Sequence, residues 1–309
     1  MRAPEHVDAT AGPIHRDVDP IVLHVPAGTA REGIDPVVLD RGRTGFVYSG
    51  LRVVHLEPGE PCMVETGEFE YAIVPVAGGD VDLRADGGQR VRLAGRASVF
   101  EGIPDIAAIG ADSEFELAVE REPTTVALAY AHARADIRTT VIRAADIPVE
   151  VRGAGVATRQ LNNLFAPGIG PFDRLTVVEG LVPGGNWASW PPHKHDADDE
   201  QLDEAVLEEI YWFQVRGDDG WAAHRTYDLD EGWDVTATIR DGDAFLVPRG
   251  YHGPQMAAPG HDLYFLNVLA GPGEQRSLAF TDDPAHAHVR EDWKTMTPDP
   301  RVPMTRARA

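Results

Sequence analysis

The segment GDAFLVPRGYH (242–252) is the unit on which the architecture turns. A Gly-Asp turn opens it, the apolar run AFLV follows, and Pro-Arg-Gly closes it just before a histidine. A short strand bounded by turn residues in this way is the building block of an antiparallel β fold. The unit recurs outward on both sides, in LYFLNVLA (263–270), DVTATI (234–239), HRTYDL (224–229), EIYWFQV (209–215) and RLTVVEGLVP (174–183). The first half repeats it in FVYSGLRVVHLE (46–57), YAIVPV (71–76), RVRLAG (90–95), FELAVE (115–120) and TVALAYAHA (125–133). Strands at this spacing predict a sandwich or barrel, and the 31 Gly and 24 Pro oppose long helices.

A chain of 309 residues fits two domains at roughly 150 residues each. The halves read as a divergent repeat, with GRASVFEGIPD (95–105) matching GDAFLVPRGYH (242–252) in its Gly turn, apolar run and second Gly. Only the second copy ends in a histidine, and residues 56–131 contain none. The expected division is therefore an N-terminal tail (1–19), a metal-free first domain (20–135), a linker (136–158), a metal-binding second domain (159–300) and a C-terminal tail (301–309).

Composition narrows the function. Fifty acidic against 28 basic residues give a formal charge of -22, which removes the attraction that drives nucleic-acid and anionic-membrane binding. No apolar run approaches the ~20 residues of a membrane span, and the N-terminus lacks a secretory core, so a cytoplasmic location is expected. The single cysteine, Cys62, excludes an internal disulfide and a thiolate-cluster site. Any metal must then be held by His and carboxylate.

WPPHKHD (190–196) supplies a candidate pair. In an extended segment side chains at i and i+2 share a face, so His193 and His195 can converge on one ion while Lys194 points away. An H-x-H alone also occurs on surface loops; His252, presented by the turn in VPRGYH (247–252), strengthens the reading. For a carboxylate, Glu200 lies five residues after His195 but inside the acidic run DADDEQLDE (196–204), which reads as a solvated loop. Glu209 opens the strand EIYWF and is preferred; Glu208 would face the other side, towards solvent. Three His and one Glu suit a single divalent ion (Zn, Mn, Fe, Ni or Co) with positions left for substrate. His224, His261, His286 and His288 lack such company and read as structural or exposed.

An H-x-H followed downstream by a strand, turn and His resembles the two-motif signature of the cupin superfamily. More specifically, RQLNNLFAP (159–167), GGNWASWPPHKHD (184–196), LEEIYWF (207–213), VPRGYH (247–252) and LNVLAGP (266–272) resemble the 5-deoxy-glucuronate isomerase family of myo-inositol catabolism. GLRVVHLEPG (50–59), TGEFE (66–70) and LAGRASVF (93–100) look like that family's first domain, so the likeness spans roughly residues 20 to 290. It implies an all-β chain of two cupin domains. The related 4-deoxy-5-keto-uronate isomerases follow their H-x-H with a Glu-aliphatic-Tyr strand, which again favours Glu209.

The resemblance implies isomerisation of a sugar acid, 5-deoxy-glucuronate to 2-deoxy-5-keto-gluconate, with the carbonyl moving from C1 to C2. A chelated ion would acidify the C2 proton and stabilise an enediolate. Tyr251, Tyr211 or a metal-bound hydroxide could carry the proton, and a hydride shift needs no base. Arg249, Arg174 and Arg276 are candidate clamps for the substrate carboxylate, and Trp187, Trp190 and Trp212 could wall a sugar pocket. The rival readings are another cupin enzyme, such as an Fe(II) oxygenase, and a non-catalytic sugar-acid-binding cupin. Two packed barrels leave sheet edges open to pairing into a homo-oligomer.

Overall fold

The computed structural model describes residues 23–85, 87–199 and 204–307. The expected tail 1–19 and the alternative ligand Glu200 lie outside them.

Almost every strand read from the sequence is present. In the second half, Thr176–Val182, Glu208–Val215, Ala244–Val247 and Leu263–Ala270 join one seven-stranded sheet, and Ala222–Tyr227, Asp234–Ile239, Tyr251–Ala257 and the short His193–Lys194 join a facing one. The first half repeats the plan. Ser49–Leu56, Phe69–Ala77, Ile106–Ile109 and Thr124–His132 belong to its larger sheet, and Cys62–Glu65, Val81–Ala85, Gln89–Leu93 and Glu114–Ala118 form the smaller.

Period-2 alternation explains why the large sheets carry almost no polar face. Along Glu208–Val215, Tyr211 and Phe213 fill the second barrel, while Ile210 and Trp212 turn to a core shared with the first half. Along Phe69–Ala77, Ile73 fills the first barrel and Ala72 and Val74 enter the same shared core. The two large sheets thus stack back to back over an apolar seam.

The internal repeat is real, but its register differs from the one read in the sequence. Residues 95–105 form no strand. By sheet position Ala244–Val247 corresponds to Ile106–Ile109, since each pairs with the strand that starts at Glu208 or Phe69. Gly-bounded apolar runs are common in β chains, and the match at 95–105 was one of composition rather than of pairing.

Three further expectations change. Residues 136–158 are not a bare connection: Thr140–Ile142 pairs with Ile106–Ile109, and Val149–Arg152 pairs with Arg159–Phe165. His24–Val25, placed by sequence in the first domain, pairs with Ala244–Val247 of the second. The segment 301–307 runs back into the body, where Thr305 is buried and its hydroxyl and carbonyl accept from Gln160.

Candidate metal centre

Separate segments bring the ligands together. Alternation puts Glu209 on the barrel face of Glu208–Val215 beside Tyr211, and it puts His252 on the inner face of Tyr251–Ala257. His193 is registered directly opposite His252, and their ring centroids are 4.4 Å apart. His195 follows two residues later.

His195, Glu209 and His252 offer ligand atoms that all lie within 4.8 Å of one another. Glu209 Oε2 is 2.9 Å from Nε2 of both histidines. The Leu207 carbonyl, 3.1 Å from His195 Nδ1, accepts its proton and fixes the ring so that Nε2 faces Glu209 and the centre. His252 is fully buried, yet among the described residues neither ring nitrogen has a hydrogen-bond partner; its approach to Glu209 is close but not aligned as one. An idle buried imidazole is costly, and a cation at Nε2 removes that cost. Three of the four expected ligands therefore converge. His193 stands beside them with its ring against Phe280, centroids 4.7 Å apart, and Nδ1 3.5 Å from the Pro191 carbonyl. Its backbone is in place, so its ligation depends on a side-chain torsion.

The charges match a cation site. Burial alone would raise the Glu209 pKa, but His252 and His195 together outweigh it and hold the carboxylate well below its usual range. Burial, reinforced by His252, drives His193 well below 6.5 and keeps it neutral. For His195 burial is opposed by Glu209, whose hydrogen bond and charge lift it above 6.5. One ionised carboxylate among imidazoles is the hard-to-borderline donor set of a divalent first-row metal.

Among the described residues of the first barrel no comparable group of His and carboxylate comes together. By sheet position the place of Glu209 opposite Val247 is taken by Tyr71 opposite Ile109. Tyr71 meets Phe115 edge to face at 5.8 Å.

Other predicted residues go elsewhere. Tyr211 lines the pocket, with its hydroxyl in hydrogen-bond reach of Glu209, Ser189 and Gln255; burial first, then the Glu209 charge, push its pKa well above 10. It is a neutral donor here, not a base. Tyr251 is carried by alternation to the outer face, where it stacks on Tyr227 at 5.7 Å. Arg249 pairs with Glu231 at 2.7 Å, Arg276 donates to the carbonyls of Phe165, Leu175 and Ile169, and Arg174 lies 5.2 Å over the Tyr48 ring. None of these Arg side chains lines the pocket. Trp187 and Trp190 pack on each other at 5.3 Å outside it, and Trp212 sits in the shared core.

Lys194 points away as expected, donating to Asp196 at 2.7 Å and Glu204 at 2.8 Å. The acidic run is not simply solvated, because Glu204 is buried and also accepts the backbone N–H groups of Asp196 and Ala197. Glu208, expected in solvent, is fully buried.

Sequence reasoning missed Arg159. It lines the same pocket as His193, His195 and Glu209, and so do Leu161 and Asn163 of its strand. The i, i+2, i+4 spacing along RQLNNLF was a readable signal, but nothing in the sequence pointed that strand at the histidines.

The sequence model of the KduI/IolB family matches residues 23–289. The chain belongs to the KduI/IolB family. Among relatives, the 5-deoxy-glucuronate isomerase of Listeria innocua is 34% identical over 254 residues, covering 82% of this chain and 91% of that one. The 5-deoxy-glucuronate isomerase of Geobacillus thermodenitrificans is 36% identical over 257 residues, 80% of this chain and 88% of that one. A crystal structure of an IolB-like protein from Salmonella typhimurium superposes with a TM-score of 0.80 at 29% identity, over 87% of this chain and 99% of that one. An oxalate decarboxylase from Lactobacillus farciminis shares the fold at a TM-score of 0.60 and 11% identity, over 85% of this chain and 89% of that one. The KduI/IolB chain is thus an all-β protein of two cupin barrels.

Proposed function

We propose that the chain is a metal-dependent 5-deoxy-glucuronate isomerase, converting that aldose acid to 2-deoxy-5-keto-gluconate. The observation that carries the reading is the convergence of His195, Glu209 and the idle His252 in a chain whose curated relatives bear that name. A divalent ion at these residues, with His193 as fourth ligand, would supply a Lewis acid for the substrate's carbonyl and neighbouring hydroxyl.

The chain's own groups do the rest. Leu207, Leu269, Leu278 and Phe280 wall the pocket and exclude water, which strengthens every charge interaction inside it. Tyr211, held neutral, donates its hydroxyl proton to Glu209 and accepts from Ser189 and Gln255. It orients the Glu209 side and leaves the C2 proton to another carrier, or to a hydride shift.

The test is anaerobic incubation of purified protein with 5-deoxy-glucuronate, followed by NMR, with metal analysis of the same sample. Expected are isomerisation, about one divalent ion per chain, and loss of both by at least ~100-fold in His195→Ala. Turnover that requires O₂ and Fe(II) would overturn the reading in favour of an oxygenase. Undiminished isomerisation by metal-depleted His195→Ala would overturn the mechanism.

A further inference from the structure

Among the described residues Arg159 is a buried cation without an ion-paired carboxylate. Its side chain is 95% withdrawn from solvent, at 5% relative exposure. Among the described residues its guanidinium makes one hydrogen bond, to the Ala157 carbonyl at 3.1 Å, and otherwise lies 5.5 Å over the Trp293 ring. Among the described residues no carboxylate forms an ion pair with it.

Its neighbours increase the imbalance. Arg152 is registered directly opposite Arg159 across the strand pair, an arrangement of like charges that is destabilising by itself. Arg152 is neutralised by a two-point bond to Glu150 at 2.7 and 2.9 Å, and Arg290 by Asp282. Arg159 has no equivalent partner among the described residues. Burial first, then Arg152 and Arg290, pull its pKa to about 9, so it remains charged at neutral pH. Removing one counter-charge from a buried pair is strongly unfavourable, and a pocket that keeps such a cation is built for an anion from outside.

We propose that Arg159 is the carboxylate anchor of the substrate and the residue that makes the site select sugar acids over neutral aldoses. This rests on the isomerase reading for the identity of the sugar. The strand Arg159–Phe165 presents Arg159, Leu161 and Asn163 on the pocket wall, and His195 and Glu209 line the same cavity. A linear uronate lies along it with its carboxylate on the guanidinium and its carbonyl end at the histidines. A planar fork suits a carboxylate bidentately. The three Arg candidates read from the sequence have their donors committed elsewhere or lie outside the cavity.

Two probes test this. The first is turnover of 5-deoxy-glucuronate against the neutral aldose bearing CH2OH in place of the carboxylate. The second is calorimetric binding of the alditol acid made by reducing the C1 aldehyde, which cannot isomerise, against the matching neutral polyol. Wild type should prefer the acid in both, and Arg159→Met should lose roughly 10- to 100-fold for the acid only, with metal content unchanged. Arg159→Lys, which retains charge without the fork, should fall between. Equal handling of acid and neutral sugar by the wild type overturns the proposal even if the variants fail to fold. Equal losses for both sugars in a folded, metal-replete Arg159→Met also overturn it. Acid-selective binding that depends on Arg159 without any isomerisation sustains the anion site and sinks the isomerase reading instead.

Discussion

His224 illustrates how burial beside the His195–Glu209–His252 cluster changes one residue. Its ring lies 4.2 Å from that of Phe245, its Nε2 is 3.0 Å from the Thr226 hydroxyl, and its Nδ1 is 3.2 Å from the Gln255 amide. Burial first, and then His252, push its pKa down to about 3. An imidazole in the unfolded chain titrates near ~6.5, so between those values the unfolded state holds one more proton than the folded state. Stability is therefore unaffected by His224 above pH 6.5 and falls below it, by on the order of 1 kcal/mol per pH unit. Urea unfolding of chelator-treated protein between pH 7 and pH 4 should show a shallower loss in His224→Gln than in wild type. Identical slopes would mean that His224 is not held neutral. The sequence leaves this histidine as structural or exposed, because its environment comes from strands that are distant in the chain.

At the scale of elements, the two large sheets exchange equivalent carboxylates. Glu208, at the start of Glu208–Val215, accepts the backbone N–H groups of Val47, Tyr48 and Ser49 at 2.7, 2.8 and 2.9 Å. Glu70, near the start of Phe69–Ala77, accepts those of Asp173, Arg174 and Leu175 at 2.8, 2.7 and 2.7 Å. Each barrel thus satisfies three donors where the other barrel's chain enters its sheet, a reciprocity that follows from the repeat. Removing such an acceptor leaves buried donors unpaired at about 1–3 kcal/mol each. Glu208→Ala and Glu70→Ala should each lower the thermal midpoint by roughly 10 °C, with Glu208→Gln less harmful because one oxygen acceptor survives. A midpoint within a degree of wild type for Glu208→Ala would show that the seam does not depend on it. Strand alternation correctly put Glu208 on the face opposite Glu209; that the face is a domain seam and not solvent was invisible without the second sheet.

The whole molecule is held by three apolar cores, one in each barrel and one between them. The shared core takes Val53, Ala72, Val74 and Ala129 from the first half and Ile210, Trp212, Leu266 and Val268 from the second. Each large side chain buried there contributes about 1.5–3 kcal/mol, so neither half keeps its large sheet covered without the other. His24–Val25 also closes the edge of the second half's large sheet by pairing with Ala244–Val247. A fragment comprising residues 136–309 should consequently aggregate or remain unfolded, as read by circular dichroism and gel filtration. A monomeric, folded fragment with the full chain's metal content would refute this dependence.

Short alternating runs and their turns determined the β class, the two-fold division and most strands, since alternation and turn chemistry are local properties of the backbone. The same local rule put His193 and His195 on one face and Glu209 on a barrel strand, and the turn after Val247 presented His252. Tertiary structure decided which of these nitrogens and oxygens meet, leaving His193 one torsion aside. It also took Tyr251 out of the site, buried Glu208, and brought Arg159 from a strand more than thirty residues upstream to the pocket wall. Which faces are covered, and by what, depends on pairings between distant strands, and a single sequence does not carry that information in any one segment.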